Sequence, residues 1–197
     1  MQKQVDYYLF LTSPWSYLAS RRARKIFQRH DVEVSYKPID AMETFAIMGG
    51  IPVPKRHPSR LKWRLEELKR WSDFLDVPIN LQPAFFPADQ SLAAKMLLVL
   101  DQHEQAGDFA DAVLSAVWRD EQNIADEATL KNLATNCGLD ASDLIAQART
   151  KDMGEKYQST TLEAHEKNVF GSPSYIYNSE LFWGQDRLDF LDRALAK

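Results

Sequence analysis

The chain has 197 residues, 45% of them hydrophobic and 26% charged, with a formal net charge of −4. That length supports one substantial core, or a core carrying a large insertion. The mild acidity gives no global basic field for nucleic acid, and no apolar run approaches the length of a membrane span.

Val5 to Leu11 is rich in aromatic and branched side chains and reads as a strand. Thr12-Ser13-Pro14-Trp15-Ser16-Tyr17 then reads as a helix start. Ser13 suits the N-cap, and Pro14 suits the first helical position, where no backbone N–H is needed. Tyr17, Leu18, Ala23, Ile26 and Phe27 recur at helical spacing to about His30. The other face carries Arg21, Arg22, Arg24, Lys25 and Arg29, expected to be solvated. Val32 to Ile39 alternates with period two and reads as a second strand. Strand, helix and strand in this span predict a βαβ unit with parallel strands.

Residues 40–60, punctuated by Gly49, Gly50, Pro52, Pro54 and Pro58, read as a loop or a loosely helical crossover. Lys55-Arg56-His57 is locally basic; most such clusters are simply solvated, while one on a loop beside a pocket can hold a carboxylate. Helical spacing resumes over residues 60–75. Pro83-Ala84-Phe85-Phe86-Pro87 forms an aromatic turn that, with Trp63, suits either core packing or an apolar pocket. Residues 90–119 read as helical with a break at Gly107. Asp126 caps the next helix, Gly138 ends it, and Asp140 caps another. Further helical sequence runs to about Lys167. Cys137 is the single cysteine, so no internal disulfide or CxxC motif is available, and a buried unreactive thiol is expected.

The end of the chain changes character. Ser174 to Tyr177 and Glu180 to Trp183 read as a hairpin closed by Asn178-Ser179. A final helix carries Leu188, Phe190, Leu191 and Leu195. The order is β-α-β, a long helical stretch, then β-β-α. The helical middle reads as an insertion, because both flanks are needed to complete one sheet. The opening residues show no basic n-region followed by an apolar stretch, so a cytoplasmic location is expected.

Three stations carry chemistry. Ser13 places a hydroxyl where free N–H groups and the helix dipole favour an anion; a thiolate from a thiol cofactor fits, because such a site lowers a thiol's pKa. A plain structural cap is the bland alternative. Ser13 lies outside a GxSxG elbow, and His30, His57, His103 and His165 form no triad signature and no metal-ligand spacing, so neither a hydrolase nor a metal site is expected. Ser172-Pro173 follows a glycine and precedes a strand; a cis bond there would free the Ser172 backbone for an extended peptide-like ligand. Trp183-Gly184-Gln185-Asp186 opens the last helix. Its N–H groups suit a carboxylate and Asp186 an ammonium, while the bland reading has Asp186 capping the helix.

Together these stations resemble the thioredoxin-fold family of the disulfide oxidoreductase DsbA. Within it the chain is most similar to the 2-hydroxychromene-2-carboxylate isomerases, and next to the kappa-class glutathione transferases. The matching segments are Phe10 to Ala19, Tyr36 to Asp40, Leu68 to Trp71, Val169 to Pro173, and Trp183 to Leu188. The resemblance implies an α/β thioredoxin-like domain of residues 1–40 and 168–197 with a large all-α insertion over residues 41–167. It implies glutathione as cofactor. Ser13 would meet the thiol sulfur, Ser172 and Pro173 the cysteinyl part, and Trp183, Gly184, Gln185 and Asp186 the γ-glutamyl end. It implies a homodimer and cis–trans isomerisation of a small aromatic carboxylate. The substrate-side residues of the family do not align across the Ala41 to Pro58 loop, and there it is the local basic cluster that offers Lys55 or Arg56 to that carboxylate. A glutathione transferase or peroxidase, and a non-catalytic glutathione or peptide binder, are the alternatives. The sequence departs from the family in Ser172, where valine is common, in Gln185, where asparagine is common, and in Phe45, where a basic residue is expected.

Overall fold

The computed structural model describes residues 2–197. β1 (Lys3–Leu9) leads into α1 (Pro14–Arg29) and returns as β2 (Val32–Pro38). The helical segment follows: α2 (Ala41–Met48), α3 (Pro58–Leu75), α4 (Ser91–Val99), α5 (Ala106–Trp118), α6 (Glu127–Asn136), α7 (Ala141–Ala148) and α8 (Lys151–Glu166). β3 (Ser174–Tyr177), β4 (Glu180–Trp183) and α9 (Leu188–Leu195) close the chain.

The sheet order is β2-β1-β3-β4. β1 and β2 run parallel, as the α1 crossover requires, and the β3–β4 hairpin adds antiparallel to the other edge of β1. β1 is thus central, and both its faces are buried. Val5, Tyr7 and Leu9 enter the main core with Ile26 and Phe27 of α1 and with Leu188, Leu191 and Leu195 of α9. Tyr8 and Phe10 face the opposite way, against Ile39, Ala164 and Val169. The main core continues through Leu68, Met96, Leu97, Phe109 and Trp118 into the helical segment, so one apolar body spans both parts.

Local signals set most boundaries. Ser13, Asp40, Asp126, Asp140 and Thr150 each accept a backbone N–H at a helix start. Asn178 and Ser179 both take positive φ, 48° and 64°, as a tight antiparallel hairpin requires. Three local expectations are corrected. Residues 41–48 form a regular helix: Asp40 accepts from Glu43 N at 2.8 Å and Gly49 ends it at φ 78°. The break between α4 and α5 lies at residues 100–105, and Gly107 sits inside the first turn of α5. Its role there is close approach, because a Cβ would lie 2.6 Å from the Tyr36 hydroxyl. The cationic face of α1 is only partly solvated. Arg24 pairs with Asp108 at 2.6 Å and Asp111 at 2.8 Å, and Arg22 reaches Gln185.

Candidate functional site

The site forms where the end of β1 meets the first turn of α1 and the approach to β3. Ser13 is buried as the α1 N-cap. Its Oγ accepts from Ser16 N at 3.2 Å and donates to the Ser172 carbonyl at 3.3 Å. Ladder pairing between β1 and β3 stops at Tyr8 and Ser174. Ser172 therefore stands outside the sheet, and its own N–H and C=O find no backbone partner among the described residues. The Ser172-Pro173 peptide bond is cis, as is Phe86-Pro87.

The Ser172 side chain points inward. Its Oγ accepts from Phe10 N at 2.7 Å and pairs with Ser16 Oγ at 2.7 Å. A serine at this buried position thus ties the end of β1, the first turn of α1 and the entry to β3 into one hydrogen-bonded knot. Gln90, from the turn before α4, fixes the same loop from the other side. Its Oε1 accepts from Thr12 N at 3.3 Å, and its Nε2 donates to the Ile39 carbonyl at 2.8 Å. Nothing in the local sequence singles out Ser16 or Gln90, because their partners lie far along the chain.

The C-terminal station lies against the same corner. Gly184 N donates to the Pro173 carbonyl at 2.9 Å. Trp183 is half exposed, meets Phe170 edge-on at 4.7 Å, and covers Gly171, where a Cβ would sit 2.5 Å from the indole nitrogen. Gly184 takes φ 109° and ψ 150°, a conformation essentially restricted to glycine, and a Cβ there would meet Asp186 Oδ1 at 2.5 Å. The turn Gln185–Arg187 is 3-10 helical. Its first N–H groups, on Gln185 and Asp186, have no intrahelical partner.

Two side chains of this station make contacts within the chain. Gln185 is buried, and its Oε1 accepts from Arg22 Nη1 at 3.0 Å, so its side chain is committed to the protein interior. Asp186 does not cap α9; its carboxylate is exposed and pairs with Arg187 at 2.6 Å. Lys55 is exposed at the end of a short 3-10 turn, and Arg56 donates from Nε to the Ile51 carbonyl at 2.8 Å. No hydrogen bond or ion pair joins either residue to Ser13, Ser172 or Trp183. Cys137 ends α6, half-buried, and burial followed by the charge of Asp108 pushes its thiol up, away from reactivity. No group of metal-ligating side chains occurs among the described residues, and no helix among them is long and apolar enough to cross a membrane.

Chemically the corner offers a buried hydroxyl at a helix N-terminus, a Ser172 N–H without a partner beside it, and turn N–H groups without intrahelical partners next to an exposed carboxylate. The DSBA-like thioredoxin domain model matches residues 4–196. A 2-hydroxychromene-2-carboxylate isomerase of Sphingobium xenophagum is 30% identical, with 99% of each chain covered. A solved 2-hydroxychromene-2-carboxylate isomerase superposes with a TM-score of 0.86 at 26% identity, covering 98% of this chain and 94% of the other. Glutathione S-transferase kappa 1 of Caenorhabditis elegans is 25% identical over 95% of this chain and 88% of its own. The chain belongs to the DSBA-like thioredoxin domain family, in the group of the 2-hydroxychromene-2-carboxylate isomerases.

Proposed function

We propose that the protein is a glutathione-dependent cis–trans isomerase. Its substrate would be a 2-hydroxychromene-2-carboxylate-type acid, and its product trans-o-hydroxybenzylidenepyruvate. The names of its relatives support the reaction, and the corner around Ser13 supports the cofactor.

The observation that carries the reading is the Ser13–Ser172 contact. At 3.3 Å it is a long hydrogen bond, so the hydroxyl can turn from the Ser172 carbonyl to a ligand atom at little cost. The Ser172 N–H, and its carbonyl once the Ser13 hydroxyl turns away, suit the cysteinyl peptide of glutathione. The open N–H groups of Gln185 and Asp186 suit the γ-glutamyl carboxylate, and the exposed Asp186 carboxylate suits its ammonium. Glutathione bound there supplies a thiolate able to add to a carbon and leave it again, which frees a bond to rotate. Ser13 and the α1 dipole would hold that thiolate charged at neutral pH by donating a hydrogen bond and a positive end. Thiol–disulfide exchange is disfavoured because it needs a protein thiolate, and position 13 holds a hydroxyl.

A kappa-type transferase acting on small electrophiles is the second reading, favoured by the Caenorhabditis relative. The same thiolate serves both. The test is a glutathione titration followed by ultraviolet absorbance at the thiolate band, on wild type and Ser13→Ala, and then a turnover assay on the chromene carboxylate. A thiolate at neutral pH that Ser13→Ala lacks, with product formed and glutathione unconsumed, is the expected result. Stoichiometric loss of glutathione would move the protein to the transferases. A homodimer in the cytoplasm completes the reading, to be checked by light scattering and by cell fractionation.

A further inference from the structure

Arg64 lies on α3, in the helical segment. Its side chain is 7% exposed, and no carboxylate pairs with it among the described residues. Its Nη2 is buried with no hydrogen-bond partner. The guanidinium carbon stands 5.7 Å from the ring centroids of both Phe86 and Trp118, which pack on each other at 4.9 Å. The indole Nε1 of Trp118 is likewise buried and unpaired. Two orphaned donors therefore occur in one contact, together with a positive charge that nothing neutralises. Leaving a buried donor unpaired is unfavourable, and more so when it is charged. Each lacks an acceptor, and for the guanidinium a negative one.

The surroundings sharpen this. Burial, and then the like charge of Arg56, push the Arg64 guanidinium down to about 10. Arg56 also has no acidic partner among the described residues. An anion entering here would relieve both. The aromatic bed is tied to the corner already described: Phe86 lies four residues before Gln90, which holds Thr12, the neighbour of Ser13. Tyr17 of α1 donates to the Pro78 carbonyl at 2.5 Å, and Asn80 N donates to the Trp118 carbonyl at 2.6 Å, which bind the intervening loop to both sides.

We infer that Arg64 is the carboxylate-recognition residue of this enzyme, pairing with an acid whose aromatic part packs against Phe86. This rests on the proposed isomerase reading only for the substrate's identity. The site itself calls for an aromatic carboxylate, with Arg56 as the second positive charge.

The test uses trans-cinnamate and its neutral analogue cinnamamide, titrated calorimetrically into wild type, Arg64→Met and Arg64→Lys, with and without glutathione. Wild type is expected to bind cinnamate at least about tenfold more tightly than cinnamamide, since charge-assisted bidentate pairing is worth more than a neutral hydrogen bond. Arg64→Met should erase that preference, and Arg64→Lys should retain part of it. The cinnamate–cinnamamide comparison needs no variant, so misfolding of Arg64→Met leaves it intact. Equal affinity of wild type for the two probes, or no binding of cinnamate, overturns the inference. So does unchanged selectivity in a folded Arg64→Met, which would mean a merely structural cation–π contact. Competitive displacement of cinnamate by glutathione also overturns it, because Arg64 would then serve a glutathione carboxylate. A thiolate band that fails to appear while the Arg64-dependent preference persists would sink the isomerase reading and leave this one standing.

Discussion

The Ser13 hydroxyl donates to the Ser172 carbonyl across 159 residues of chain, while Ser172 Oγ accepts from Phe10 N beside it. Two loops distant in sequence therefore bring together the candidate catalytic hydroxyl and the peptide group proposed to receive the ligand.

Replacing Ser13 separates its two duties. Ser13→Ala removes the N-cap of α1 and should cost about 1 kcal/mol of stability, read by urea denaturation. It should also raise the pKa of bound glutathione thiol by a unit or more, each unit corresponding to about 1.4 kcal/mol. A variant that loses stability but leaves the thiolate absorbance unchanged would reduce Ser13 to a cap.

Ser172→Ala should be more damaging to the fold than to the ligand site. It strands Phe10 N–H and Ser16 Oγ in a buried position, at about 1–3 kcal/mol. Its backbone remains, so glutathione affinity measured by calorimetry should fall by less than about tenfold once unfolded protein is discounted. A large loss of affinity in stably folded Ser172→Ala would assign the side chain a direct role.

Gly184→Ala forces an L side chain into a conformation that costs on the order of 1–3 kcal/mol, and pushes the new Cβ into Asp186 Oδ1. Glutathione binding should weaken with the thermal midpoint, since the γ-glutamyl station would be displaced. Wild-type affinity in Gly184→Ala would separate that turn from the ligand.

Acid stability is expected to depend on Glu163. Burial alone would raise this carboxyl, but hydrogen bonds from Lys167, Lys37 and Tyr8 outweigh it and hold it down to about 2. The unfolded value is near 4.5, so the native state binds fewer protons than the unfolded one between these limits. Its contribution is present above about pH 4.5 and lost as the pH falls through 2. Glu163→Gln should flatten the fall in stability over that window, followed by chemical denaturation at stepped pH. An unchanged slope would place the acid sensitivity elsewhere. The side chain is about one-third exposed, 35%, so solvent screening tempers the effect.

The local sequence carried most of the architecture for a physical reason. Caps, tight turns and period-two alternation act within a few residues. Ser13-Pro14, Asp126, Asp140, Gly138 and Asn178-Ser179 all read out as elements because the groups they satisfy are their immediate neighbours. The Asp40–Glu43 capping pair was equally legible, and only the prolines and glycines that follow it obscured α2. Tertiary structure decided what depends on distant partners. Gly107 accommodates Tyr36 and does not break a helix, Gln185 turns inward to Arg22, and Arg24 meets Asp108 and Asp111. The orphaned Arg64 between Phe86 and Trp118 follows the same rule. A sequence shows that a residue is charged, but only the packed chain shows whether anything neutralises it.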